Sequence, residues 1–544
     1  VKPPPQPEMM RLAARRLQAK GYLGVKEING IAARLRLPTS RVYGFISQFP
    51  ELPVRPYRTR VRVCTGPACA DAGAWAILED LERRVPGDIE VLAEPGILHW
   101  HRSPAVCLET PGEGARLVEG LGPEDTGALV AALAQNELSS YTPLKDVSPP
   151  GVEVLPGHEP APWSAAVAGG ILPDTWGPDL IRWASEHPEE VMRRIGGNAA
   201  QRESGSRDRL SPKLLVCDAV GPEPENSVSF AVSLLHPRAL VAGAAIAAAA
   251  YGARELMFYF PWNETEAVEA LESAAAELLS GVGIRHSVLR GPVHVPCALD
   301  IGRAAVINGM MLWRAASLYG WQGTRGGDPS LAVLDAELAW RLPWLMGENT
   351  IRDEEWAGSR LVCLAGFDGV PRLLEVPPGT RLEDVLDGLG LETGRGGLEA
   401  VYAGGTTAAM VISREASGEV LEKAGEVVLL DPLTCMPRWA LYLAWHAERG
   451  CCGGCFPGRT APAAAARLIQ GILRAEAGEA ALEDLEALLA NASGLALCPR
   501  LRETLNPILT CLREFRDEFE VHAKEGICKS GSCWPAVEAA TYGG

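Results

Sequence analysis

The stretch Cys451-Cys452-Gly453-Gly454-Cys455-Phe456-Pro457 sets Cys452 and Cys455 three positions apart on a glycine-rich loop. Glycine permits the tight backbone curl that aims both sulfurs at one centre. With the distant Cys498, the residues Cys451, Cys452, Cys455 and Cys498 supply four thiolates at an unusual spacing, the number a 4Fe-4S cluster requires. The alternative is a set of reduced, buried thiols. From Pro432 to Lys524 the apolar periodicity is almost purely helical, with the cysteines at helix ends, which predicts a helical bundle able to hold a cluster.

Two further constellations stand apart from it. His522, Cys528 and Cys533 follow a long helix that begins near Glu503; an imidazole and two thiolates suit tetrahedral zinc with a fourth ligand from elsewhere, against the alternative of a frayed tail. Near the other end, Val63-Cys64-Thr-Gly-Pro-Ala-Cys69 places a C-x4-C loop after a strand. Two such thiolates hold one iron of a 2Fe-2S cluster, and the second iron would draw on His99, His101 or Cys107. The alternative is a cluster site that has been lost.

Working outward, the 544 residues exceed a single core and predict three to five domains. A formal charge of −17 disfavours nucleic acid, whose binding relies on Lys and Arg neutralising phosphates. A helix-turn-helix alternative for the first fifty residues is set aside on the same ground. The longest apolar stretch, Ala239 to Ala253, is interrupted by Gly243 and Gly252 and is shorter than the ~20 residues of a membrane span. The proline-rich start lacks a basic-then-apolar leader, so a cytoplasmic location is expected.

The boundaries expected are a helical cap over 1–58, a small α/β domain over 59–137, a Pro/Ser/Gly-rich linker over 138–162, a large α/β domain over 163–350, a β-rich module over 360–412, the bundle over 432–525 and a cysteine-containing tail over 526–544. In the small domain the predicted elements are strands Arg60–Val63, Ile89–Leu92 and Ala105–Leu108 with helices Ala72–Arg84 and Pro123–Ala134. In the large one, strands at Lys213–Cys217, Glu255–Phe260 and His286–Leu289 alternate with helices, Pro237–Tyr251 being the clearest.

At these residues the chain resembles the two NADH-side iron-sulfur subunits of respiratory complex I fused end to end. "VRVCTGPAC" after a helical cap is similar to the thioredoxin-like 2Fe-2S subunit. "KLLVCDAVGPEPE" (Lys213–Glu225) and "HPRALVAGAAIAAAAYGA" (His236–Ala253) resemble the core of the flavoprotein subunit, "GRGGLEAVYAGG" (Gly394–Gly405) its β-grasp (SLBB) module, and "CCGGCFPGR" with "LCPRLRETLNPILTCLREFRDEFEVH" its cluster bundle. Fused chains of this order occur among diaphorase subunits of soluble hydrogenases and related formate dehydrogenases. The "HAKEGICKSGSC" tail is similar to that of bifurcating-hydrogenase flavoproteins, where it helps bind zinc. The resemblance therefore implies an α/β multidomain chain working with other iron-sulfur subunits of a redox complex.

The sequence departs from the family at its chemistry. The run GRGGAGFPTGxKW, whose glycines admit FMN phosphate, corresponds here to Arg194-Ile-Gly-Gly-Asn-Ala-Ala-Gln-Arg-Glu-Ser-Gly-Ser206, and NADEGEPG to Asp218-Ala-Val-Gly-Pro-Glu-Pro-Glu225. The paired glutamates of the NADH pocket are not found over Cys297–Val306. No FMN and no hydride site of its own are expected. The second cysteine pair of the first domain falls near Gly96 and Trp100, and the third cluster cysteine of the bundle is Gly458. Cys451 is left as the substitute fourth ligand, with a 3Fe-4S cluster or no cluster as alternatives. The expected function is an electron-transfer or structural subunit of a multisubunit NAD(P)- or ferredoxin-linked oxidoreductase of hydrogenase or formate dehydrogenase type; the rivals are an active NADH dehydrogenase module with FMN and a scaffold carrying zinc only.

Overall fold

The computed structural model describes the chain apart from residues 1–8, 18–21, 48–51, 95–102, 111–113, 139–151, 155–175, 195–213, 220–227, 262–265, 292–330, 347–359, 366–370, 392–396, 405–408, 450–455, 497–498, 534–544 and a few isolated positions. A pair of helices, α1 (Val25–Leu35) and α2 (Thr39–Ile46), buries Ile28, Ile31, Val42 and Ile46 with Met9 and Leu12 in a small core of their own.

The first sheet has the order β2-β1-β3-β4, with β1 (Thr59–Cys64) parallel to β2 (Ile89–Glu94) and antiparallel to β3 (Ala105–Thr110), which pairs antiparallel with β4 (Gly114–Glu119). This is thioredoxin-like topology. Val61 and Val63 alternate into a core shared with Ile77 and Leu81 of α3 (Ala74–Arg84) and Leu129 and Leu133 of α4 (Thr126–Gln135). The intervening Arg60 and Arg62 are also buried, in an ion-pair network: Arg60 meets Glu90 at 2.6 Å, and Arg62 meets Glu94 at 2.8 Å and Glu109 at 3.4 Å. Tyr57 donates to the Glu109 carboxylate at 3.2 Å and its ring lies under the Arg60 guanidinium. Strand β4 is an addition to the elements expected from the sequence.

The stretch expected to be linker contributes a strand. β5 (Val152–Val154) pairs with the far edge of a six-stranded sheet of order β13-β12-β14-β10-β11-β5. The other members are β10 (Arg360–Ala365), β11 (Pro371–Val376), β12 (Ala400–Gly404), β13 (Met410–Ser413) and β14 (Glu426–Leu430). The sheet thus runs past residue 412, because β14 sits between β12 and β10.

The large α/β layer is fully parallel, in the order β8-β7-β6-β9. It comprises β6 (Leu214–Asp218), β7 (Glu255–Pro261), β8 (Arg285–Gly291) and β9 (Leu331–Asp335), with α5 (Pro178–Glu186), α6 (Pro188–Arg194), α7 (Val228–Leu235), α8 (Pro237–Tyr251), α9 (Glu266–Leu278) and α10 (Ala336–Leu345). Strand order reverses between β6 and β9, the place where open parallel sheets leave a crevice beyond their carboxyl ends. Helix α8 is almost wholly buried and uses small residues to lie close to α10: the Ala339 carbonyl oxygen stands 1.6 Å from where a Cβ on Gly243 would be. Pro343, inside α10, has no N–H to offer that carbonyl, which lies against the bare glycine.

The six-stranded sheet joins two cores. Leu361, Cys363 and Leu373 pack into the core of the parallel layer, whereas Ala400, Tyr402 and Val411 pack into that of the bundle. Between β11 and β12 runs α11 (Leu382–Gly388), whose Leu382, Val385 and Leu386 form a core of their own with Val362 and Leu364 of β10. The bundle consists of α12 (Met436–Arg449), α13 (Phe456–Leu473), α14 (Ala480–Gly494), α15 (Pro499–Glu514) and α16 (Arg516–Glu525). The long helix expected from Glu503 is two helices, parted at Phe515. Helix α15 docks on the sheet's edge: Asn506 Nδ2 donates to the Ala409 carbonyl at 2.7 Å, and Val411 N–H donates to Thr510 Oγ1 at 2.8 Å. Among the described residues no helix is long and apolar enough to cross a membrane.

Candidate functional site

The fourth ligand that His522, Cys528 and Cys533 lack in sequence is Cys435. The ligand atoms of the four residues lie within 4.8 Å of one another. Cys435 arrives directly after β14, where Asp431 organises the turn: its carboxylate accepts Leu433 N–H at 3.1 Å and Thr434 Oγ1–H at 2.9 Å. The Cys435 carbonyl accepts Trp439 N–H at 2.9 Å, so the cysteine caps the N-terminus of α12. His522 projects from α16, which ends at Gly526 with φ of +65°, a left-handed stop for which glycine is suited. Beyond it the tail turns at Gly531, whose N–H bonds the Cys528 carbonyl at 3.2 Å, and this curl returns Cys533 to the group.

The sulfur and nitrogen atoms face one another: Cys435 Sγ to Cys533 Sγ 3.2 Å, Cys533 Sγ to His522 Nε2 3.2 Å and Cys435 Sγ to His522 Nε2 3.6 Å. His522 Nδ1 donates to the Glu518 carbonyl at 2.8 Å. That bond fixes the tautomer and leaves Nε2 to act as a ligand. Cys435 and His522 are buried and the two tail cysteines half-buried. Arg438 Nη1 donates to the Ser532 carbonyl at 2.7 Å, holding the tail against α12.

Their acid-base chemistry suits a cation. Hydrogen bonds from Cys435 and Ser530 pull the Cys528 thiol down to about 3, and that from Cys435, with His522, pulls Cys533 to about 7. Cys435, as donor of those bonds and buried, is pushed up. Burial opposes charge on His522, yet the Cys533 sulfur and the Glu518 carbonyl outweigh it and bring its pKa to about 9. A divalent cation displaces these shared protons. Three thiolates and one imidazole from three chain segments fit tetrahedral zinc, and such a closed set leaves no open position for substrate.

The other expected sites fare differently. Cys64 and Cys69 are buried in the core of the first sheet, with Cys69 Sγ bonded to Ser103 Oγ at 3.4 Å. Cys107 is buried on β3 opposite Arg62. Among the described residues these three join no group of metal ligands; His99, His101, Gly96 and Trp100 lie outside the described residues. So do Cys451, Cys452, Cys455, Cys498, the flavin-type stretch from Ile195 to Ser206 and the segment Cys297–Val306. Gly458 is described: it is buried in the first turn of α13.

A thioredoxin-like sheet, a parallel α/β layer, a β-grasp sheet and a helical bundle follow one another on one chain, and the expected α/β multidomain class is met. Residues 3–108 match the thioredoxin-like [2Fe-2S] ferredoxin family, and residues 438–522 match the iron-sulfur binding region of NADH-ubiquinone oxidoreductase F. The chain is 26% identical over 349 residues to the NADH-quinone oxidoreductase F 2 subunit of Rhizobium meliloti (strain 1021), covering 58% of this chain and 82% of that one. It is 22% identical to the HndC subunit of the NADP-reducing hydrogenase of Solidesulfovibrio fructosivorans, over 60% of this chain and 72% of that protein. In fold it is similar to an NAD+-reducing [NiFe]-hydrogenase chain in the air-oxidized state, with TM-score 0.71 and 18% identity over 95% of this chain and 93% of that chain. The H2-reduced form of that hydrogenase gives 0.69 at 19% identity, over 94% and 92%.

Proposed function

We propose that this chain is the electron-transfer and structural subunit of a multisubunit NAD(P)H-linked oxidoreductase of hydrogenase or formate dehydrogenase type, without a hydride-transfer site of its own. The observation that carries it is the occurrence, on one chain, of both iron-sulfur family matches, at residues 3–108 and 438–522. The named relatives are subunits of an NADH-quinone oxidoreductase and an NADP-reducing hydrogenase, which supports the NAD(P)H link and the expectation of partner subunits. A 4Fe-4S cluster would be held by Cys452, Cys455 and Cys498 with Cys451, and would supply a one-electron relay. The rewritten stretch Arg194–Ser206 and the absence of the paired glutamates over Cys297–Val306 support the loss of flavin and hydride chemistry.

Zinc at Cys435, His522, Cys528 and Cys533 has a structural role in this reading: it ties the tail and α16 to the start of α12. Anaerobic purification with iron, zinc and flavin quantitation, followed by EPR after reduction, tests the whole. The expected outcome is about four irons and one zinc per chain, no flavin, and no NADH oxidation by the isolated chain. Zinc is lost in Cys435→Ser while iron is retained. Stoichiometric FMN with NADH-dependent dye reduction would establish an active diaphorase instead; zinc without iron would establish a scaffold.

A further inference from the structure

We propose that Glu518 is the positioning residue of the centre formed by three cysteines and one histidine, its carboxylate fixing the chain at Cys435 and its main-chain carbonyl fixing His522. The proposal rests on the metal reading above and deepens it. Cys435, just before α12, and His522, on α16, lie 87 positions apart, so their meeting depends on how the start of α12 is held beside α16. Glu518 stands one helical turn before His522, and it reaches both.

Its Oε1 accepts the N–H of Met436 at 3.2 Å. Met436 is the residue after Cys435 and the first of α12, so this N–H is one of the donors that a helix start leaves without an intrahelical partner. A carboxylate is the natural acceptor there, at the positive end of the helix dipole. Holding this amide fixes the peptide unit that carries Cys435, and hence the direction of its Cα–Cβ bond. The carbonyl of the same residue accepts His522 Nδ1–H at 2.8 Å, which orients the ring toward the sulfurs. One residue therefore sets two ligands that come from opposite ends of the bundle sequence. Partners of this kind around metal ligands commonly account for 10- to 100-fold in affinity.

The test uses the full chain, depleted of metal by a chelator and titrated with Co2+, then with Zn2+ against a chromophoric competitor. Glu518→Ala is expected to weaken Zn2+ binding by about 10- to 100-fold and to alter the ligand-field bands of the Co2+ form. Glu518→Asp keeps the charge but is one methylene short of Met436, and is expected to weaken binding likewise. Glu518→Gln keeps an acceptor oxygen at the same reach and is expected to bind as wild type does. Glu520→Ala, which removes a half-buried partner of Arg516 and Lys524 on the same helix, is the control expected to change neither readout. Wild-type affinity and spectrum in both the Ala and Asp variants would overturn the positioning role, as would a Gln variant as weak as Ala. If the Ala variant does not fold, the Asp and Gln pair decides. Wild-type protein that binds neither ion would bring down the metal reading itself and this inference with it, an outcome distinct from the others.

Discussion

Replacing Gly243 by alanine adds one methyl group where α8 meets α10, and the collision it creates can be sized. The new Cβ would stand 1.6 Å from the Ala339 carbonyl oxygen, 2.7 Å from that carbonyl carbon and 3.0 Å from Pro343 Cδ. Two of the three obstacles are backbone atoms, so no rotamer change relieves them, and the helices must part by more than an ångström. Forcing a methylene into a packed core costs about 1–3 kcal/mol, occasionally more. Alanine's helix propensity returns about 0.8–1 kcal/mol. Given the depth of the overlap we take the upper part of the cost and expect a net loss of about 2 kcal/mol, or about 30-fold in the opening equilibrium. A multidomain chain does not unfold in two states, so the assay must resolve segments: hydrogen–deuterium exchange read by mass spectrometry on peptides from α8 and α10. Both helices should exchange about 30-fold faster, while peptides from α13 and α14 are unchanged. Exchange in α8 equal to or slower than wild type would refute the close approach of the two helices.

Two more outcomes follow from groups described above. Arg62→Ala takes from Glu94 and Glu109 the guanidinium they share beside a buried sheet face, with only 11% and 25% of their side chains exposed, while Glu109 keeps Arg60 and Tyr57; a loss of about 3 kcal/mol is expected, read as faster exchange in β1–β3 peptides and partly reversed by adding Glu94→Gln. His236, stacked on Trp340, has its pKa lowered to about 4 by burial against about 6.5 in the unfolded chain. The unfolded state thus binds the extra proton first, so this contribution is complete above pH 6.5 and declines as pH falls toward 4. Allowing for the ring's partial exposure, wild type should lose about 1 kcal/mol more than His236→Phe between pH 7 and pH 5, read as the ratio of wild-type to variant hydrogen exchange in peptides from α8 and α10, and a ratio that does not change with pH would contradict it.

Much of this architecture is legible in the sequence because local and tertiary demands agree. Val61 and Val63 alternate toward one core, and Pro237–Tyr251 has the composition of a buried helix closed by Gly252, so the expected bounds of both elements lie close to the observed ones. The elements that escape a sequence reading are those whose reason lies elsewhere in the chain. Val152-Glu-Val154 sits among prolines and becomes a strand only because β11 offers it an edge. Gly114–Glu119 follows a Pro-Gly pair in the sequence, a local hairpin signal that could have disclosed β4. Cys435 is invisible as a ligand because nothing local distinguishes a lone cysteine from a core thiol; its helix-capping place after Asp-Pro-Leu-Thr is the one hint. The curl of the tail that brings Cys528 and Cys533 together is, by contrast, implied by their spacing around Gly531.

The helix that lends Asn506 and Thr510 to satisfy the backbone of β13 and the residue before it has a consequence for how molecules of this protein meet. An open strand invites a neighbouring chain to extend the sheet, and flat exposed rims are where uncontrolled self-assembly begins. Here that rim is stoppered from within by two short polar side chains, so a crowded population of copies is denied one easy route into fibres. Unstoppering it, with Asn506→Ala and Thr510→Val together, would trade solubility for adhesion while leaving every cysteine in place.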